Sequence, residues 1–195
     1  MFSSHSDESS TSAQVPMARS AQSLAFEEAW RVAKGDEAFP DRSAIDLKRF
    51  AKFARWFAII EPDPNKASLP FRLVGSGFFD FFKTDLTGLD YLALVDPAIK
   101  TLAYDSVMAC LAQPCGLWQV TPAQIADGAT MPYEYTILPI SRGRPQADHI
   151  VIYVNFEMRT LAPRPHVDRV EHSTLWHWLD IGFGVPTGSF GLSPA

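Results

Sequence analysis

The chain has 195 residues, a length suited to one core with tails, and its 17 Lys and Arg against 22 Asp and Glu give a formal charge of −5. With 47% hydrophobic and 20% charged residues it has the composition of a folded globular protein, and 14 Phe, 5 Trp and 5 Tyr provide an aromatic interior. The acidic balance without a Lys/Arg run argues against a nucleic-acid partner, and no apolar run approaches the ~18 residues of a spanning helix, so no membrane partner is expected and the expected location is cytoplasmic.

Residues 1–20 are Ser-rich and poor in large apolar side chains, which predicts a disordered tail. From Ala21, the residues Leu24, Ala25, Ala29, Val32 and Ala33 recur at helical spacing, and Phe26 and Trp30 widen the apolar face. An amphipathic helix is therefore expected up to Gly35, whose backbone suits a stop. After the Phe39–Arg42 turn, Ser43 with Asp46 three positions on resembles a capping box opening a short helix through Phe53. Two short strands follow, near 55–61 and 69–75, joined by a Pro/Asn/Ser turn and expected to form a hairpin. Gly75-Ser76-Gly77 ends the second, and the Phe78–Phe82 cluster predicts one or two short helices. The longest internal helix is expected after Pro97, capped by Asp96 and reaching Ala112. Three more strands are expected near 116–121, 132–140 and 148–158, and residues 161–195 read as a docked extension. Strands grouped at both ends of a helical block, rather than alternating with helices, indicate an α+β fold with an antiparallel sheet.

Several segments are similar to those of small bacterial stand-alone PAS-domain proteins. Phe39-Pro40-Asp41-Arg42-Ser43-Ala44-Ile45-Asp46 resembles that family's motif of proline, arginine, an aliphatic residue and aspartate. Phe71-Arg72-Leu73-Val74-Gly75-Ser76 and Asp85-Leu86-Thr87-Gly88 resemble its second strand and the turn that follows, and Tyr133–Ile140, ending in Leu138-Pro139-Ile140, resembles a late strand. The resemblance covers residues 25–159. It implies a five-stranded antiparallel sheet with helices on one face over residues 21–160, often around a small cavity, in a protein that senses or relays signals and has no catalytic residue. A protein partner is then the expected route of output, since no effector domain is read in this chain.

Phe71, Phe78, Phe82, Tyr91, Trp118, Tyr135 and Ile152 are the candidate lining of a pocket for a small apolar ligand. The alternative for the same residues is a packed aromatic core. Arg72 should project from the face opposite Phe71, and Arg42 sits in a turn; either can hold an anion or serve in a salt bridge. No cofactor is indicated. The histidines lack metal-ligand spacing, and Cys110 and Cys115 match no redox or zinc motif, which leaves them as reduced packing residues. No nucleophile elbow, Walker loop or dinucleotide fingerprint is present, so catalysis is not expected. The enzyme alternative is a cone fold using Asp80 or Asp85 with Tyr91, Tyr133 or Tyr135. A homodimer through the first helix is expected on the strength of Phe26 and Trp30, with covering of the protein's own sheet as the alternative.

Overall fold

The computed structural model describes residues 18–124, 130–155, 173 and 175–187. The expected N-terminal tail up to residue 17, the end of the last expected strand and residues 161–172 of the extension lie outside the described residues.

Helix α1 spans Ala21–Lys34, with the Ser20 side chain accepting from the Ser23 N–H as its N-cap. The predicted helix through Phe53 is broken up. Asp41 caps a 3-10 turn at Arg42–Ala44, Asp46 caps α2 at Leu47–Phe50, and a second 3-10 segment runs over Ala51–Trp56. Ser43 is not the cap that its spacing suggested, because its hydroxyl donates to Asp41 Oδ1 at 2.6 Å. Asp46 Oδ1 instead accepts the Arg49 N–H at 2.8 Å. The remaining helices are α3, Ser76–Phe82, and α4, Lys100–Ala112, the latter preceded by a 3-10 turn at Pro97–Ile99 that Asp96 caps as expected.

Strands β1 (Phe57–Ile60), β2 (Phe71–Val74), β3 (Gly116–Gln124), β4 (Thr130–Ile140), β5 (His149–Asn155) and β6 (Leu175–Leu179) form one sheet in the order β2-β1-β5-β4-β3-β6. Every pairing is antiparallel, so the α+β expectation with its antiparallel sheet describes the fold. The sixth strand was not foreseen. Gly116 to Val120 pair with Leu179 to Leu175, which makes part of the docked extension an edge strand.

Period-two alternation divides the sheet into two apolar faces. Ala58 and Ile60, Ile150, Ile152 and Val154, and Tyr133, Tyr135 and Ile137 face α3 and α4 in one core. Ile59, Val151, Tyr153, Leu138 and Trp118 face Phe26 and Trp30 of α1 with Phe50 and Phe53 in the other. Residues 76–112 thus supply the helices of one face, and the N-terminal elements cover the opposite one. Phe26 and Trp30, on which the homodimer expectation rests, are fully buried against the protein's own sheet, while Leu24 and Val32 are the exposed large apolar residues of α1.

One close approach fixes how α3 leaves the sheet. A Cβ on Gly75 would meet the Ala54 carbonyl oxygen at 2.1 Å, so only glycine lets β2 turn into α3 beside the Ala51–Trp56 segment. At Gly88 the reason is different: φ is +83°, a conformation that a side chain disfavours.

Candidate functional site

Six of the seven predicted lining residues converge. Phe71, Phe78, Phe82, Tyr91, Tyr135 and Ile152 line one pocket under α3, joined by Ala58, Leu86 and Leu94, which the sequence reading missed. Strand alternation brings Phe71, Tyr135 and Ile152 to this face, and the short apolar helix lays Phe78 and Phe82 across them. The cavity volume is about 10 Å³, room for about one water, so side chains nearly fill the site. Of the lining residues, Phe82 and Leu94 are only half-buried.

Trp118 does not join this group. It alternates with Leu117 along β3 and belongs to the opposite core, where its Nε1 donates to the buried Glu134 carboxylate at 2.5 Å. Glu134 also accepts from the Ser20 N–H at 2.9 Å, from the Ser20 hydroxyl, and from Asn155 Nδ2 at 3.2 Å. This carboxylate therefore fastens the start of α1 to the sheet.

Within the aromatic pocket the polar groups are phenols. The Tyr91 and Tyr135 phenols lie within the same pocket, and the Tyr133 ring packs edge-on against Tyr135 with centroids 4.9 Å apart. Burial pushes the Tyr91 phenol well above its ordinary range, and the neighbouring Tyr135 adds to the shift. Burial does the same to Tyr135, with Tyr133 adding to it and Tyr91 opposing it. Both stay neutral at ordinary pH and can donate or accept a hydrogen bond rather than serve as bases. Neither Asp80 nor Asp85 lines this pocket. Asp80 pairs with Arg55 at 3.1 Å and Asp85 holds the exposed Thr87 turn, so the aspartate and tyrosine of the cone-fold alternative are not brought together there.

Arg42 and Arg72 lie elsewhere, yet together. Both line a cleft of about 560 Å³ on the opposite side of the sheet, with Ile59, Glu61, Arg142 and His149. Arg72 projects away from Phe71 as expected, and its Nε donates to Glu61 Oε2 at 2.6 Å. Leu73 does not return to the face of Phe71, because a register shift between Ile59 and Ile60 pairs it with Ile59, and it is exposed. Arg142 and His149 were not singled out for this role, although the two arginines of the Ser141-Arg142-Gly143-Arg144-Pro145 turn were a signal available in the sequence.

The family model described as PAS domain matches residues 18–151, more than half of the chain. The chain belongs to the PAS domain family. Among solved structures, the PAS domain of a protein from Colwellia psychrerythraea is similar at 15% identity, with 58% of this chain and 98% of that one covered and a TM-score of 0.42. The Rhodobacter sphaeroides LOV protein is similar at 16% identity, with 60% and 70% covered and a TM-score of 0.41. No curated protein matches the chain. The PAS match runs from just before α1 into β5, so β6 lies beyond it, as a strand added at the β3 edge. PAS domains are in general sensory and signalling modules. Among the described residues of this one, no helix is long and apolar enough to cross a membrane.

Proposed function

We propose that this PAS domain is a sensor that takes up a small apolar molecule between sheet and α3 and passes the signal on by contact with a protein partner. The observation that carries the reading is the convergence of Phe71, Phe78, Phe82, Tyr91, Tyr135 and Ile152 on one apolar wall with two neutral phenols as its polar handle. Since the cavity holds about 10 Å³, uptake requires Phe82 to swing outward. Phe82 ends α3, and Lys83 beyond it has the left-handed φ of +56°. Displacing that ring alters the helix end at the surface, which is where a partner would read the change. No reacting group is needed for this role, in keeping with a non-enzymatic protein.

The same small volume favours a second reading, in which the interior is permanently filled and the PAS domain acts purely as an interaction module. Native mass spectrometry of freshly purified protein, followed by thermal shift with indole as an apolar probe carrying one donor, separates the two. The sensor reading expects a bound mass or indole stabilisation that Phe82→Ala strengthens. Absence of both in the wild type and in Phe82→Ala establishes the filled module.

A further inference from the structure

The outer cleft has a chemistry that the aromatic pocket lacks. We infer that the cleft lined by Arg42, Arg72, Arg142 and His149 binds a small molecule bearing a doubly charged phosphate monoester. This site is independent of the apolar pocket, which opens on the other face of the sheet.

Charge is the first argument. The chain as a whole is acidic, at −5, yet three guanidiniums line this one cleft against a single carboxylate, Glu61. Glu61 is already engaged by Arg72 at 2.6 Å, with His149 Nε2 at 3.6 Å on the same oxygen. Asp148, next along the chain, is turned to His149 Nδ1 at 2.7 Å and to Arg144 at 3.5 Å. Asp41, beside Arg42, accepts from Ser43 and Gly143 instead. Among the described residues, therefore, the side chains of Arg42 and Arg142 have no ion-pair partner. Two uncompensated guanidiniums sharing a cleft repel one another until an anion arrives, and a group of about two negative charges balances them. A phosphate monoester near neutral pH has that charge and offers several oxygens to the planar donor forks of arginine, whereas one carboxylate leaves a guanidinium unmatched.

Rigidity is the second. The turn carrying Arg42 and the hairpin carrying Arg142 are stitched together by backbone: the Arg42 N–H donates to the Ser141 carbonyl at 2.7 Å and the Ser141 N–H to the Pro40 carbonyl at 3.0 Å. The Gly143 N–H donates to Asp41 Oδ2 at 2.6 Å. Two arginines distant in sequence are thus held on one frame before any ligand binds, which limits the ordering cost of binding. Arg72 reaches the same cleft from the register shift of the β1–β2 pair, a device that re-aims side chains. The third argument is size. A cleft of about 560 Å³ exceeds a phosphate group alone and lies in the range of small-molecule sites, which leaves room for an organic body beside the phosphate.

Calorimetric titration of the full chain at constant ionic strength and near neutral pH, with phenyl phosphate, inorganic phosphate and succinate, tests the inference. Saturable binding is expected in the order phenyl phosphate, then inorganic phosphate, then succinate. Arg42→Gln and Arg142→Gln should each weaken phenyl phosphate by roughly tenfold, as expected for one lost charge-assisted contact, while Lys83→Gln leaves it unchanged. Among the described residues neither arginine side chain has an ion-pair partner, so the variants should melt like the wild type, and a circular-dichroism melt checks this. The inference is overturned by no saturation with either phosphate compound in the millimolar range, by unchanged affinity in both arginine variants, or by succinate binding more tightly than phenyl phosphate.

Discussion

Ile59 and Ile60 are neighbours in β1, yet Ile60 packs in the aromatic interior beneath α3 while Ile59 packs in the opposite core and borders an open cleft lined by three arginines. The two faces of the sheet differ in what their residues need. Aromatic rings gain by excluding water and pack until about 10 Å³ remains, whereas guanidiniums resist desolvation and keep about 560 Å³ open between them. One PAS sheet thereby separates an apolar site that must open to admit anything from a charged site already formed. In the roles proposed above, a ligand at the first would be coupled to conformation and one at the second would be held without it.

The largest effect should come from the part of the outer face that is closed. Trp30→Ala removes a fully buried indole whose Nε1 donates to the Pro139 carbonyl at 2.8 Å, and should cost about 3 to 5 kcal/mol in urea denaturation. A loss under about 1 kcal/mol would show that α1 is not a fixed part of the fold. On the inner side, Gly75→Ala forces a methyl onto the Ala54 carbonyl and should cost about 3 kcal/mol by overpacking, with α3 and the aromatic pocket disturbed first. Amide exchange in Ser76–Phe82 reads this directly; unaltered exchange there would separate α3 from the β2 exit.

Glu134→Ala comes next. It leaves the Trp118 and Asn155 donors and the Ser20 N–H without their buried acceptor, and about 2 to 3 kcal/mol should be lost, with exchange at the start of α1 rising before that in β4. Uniform exchange across the molecule would mean that Glu134 supports the whole core rather than the docking of α1. The smallest effect concerns the cleft frame. The Ser43 hydroxyl first, then the backbone N–H groups of Ser43, Gly143 and Arg42, lower the Asp41 carboxyl from its ordinary 3.8 to about 2. Because the folded value is depressed, the stabilisation is complete above pH ~4 and is lost as pH falls through about 2. The Gly143 amide resonance should follow this transition. Asp41→Asn should remove the pH dependence and weaken phenyl phosphate, and an unchanged acid profile would place the titration elsewhere.

The sequence determined much of this through local chemistry. The periodicity of Ala21–Lys34, the cap at Asp96, the grouping of strands around a helical block and the Phe-rich segment after Gly77 are legible because each depends on residues within a few positions of one another. Six pocket-lining residues followed from the same logic, since a resemblance that fixes strand order also fixes which alternate residues face α3. What only the tertiary structure decided depends on distant pairings. Trp118 lies on the face opposite the aromatic pocket because its orientation is set by the register of β3 against β4, where it stands opposite Thr136 rather than beside Tyr135. β6 has no local signal because its partner, β3, is far back along the chain. The Arg42–Arg142 frame needs a turn before α2 and a hairpin after β4 to meet through backbone bonds, which no local spacing encodes. Side-chain type and period dictate which elements form and which way they face, whereas register and long-range backbone bonding choose which charged residues end up sharing a cleft.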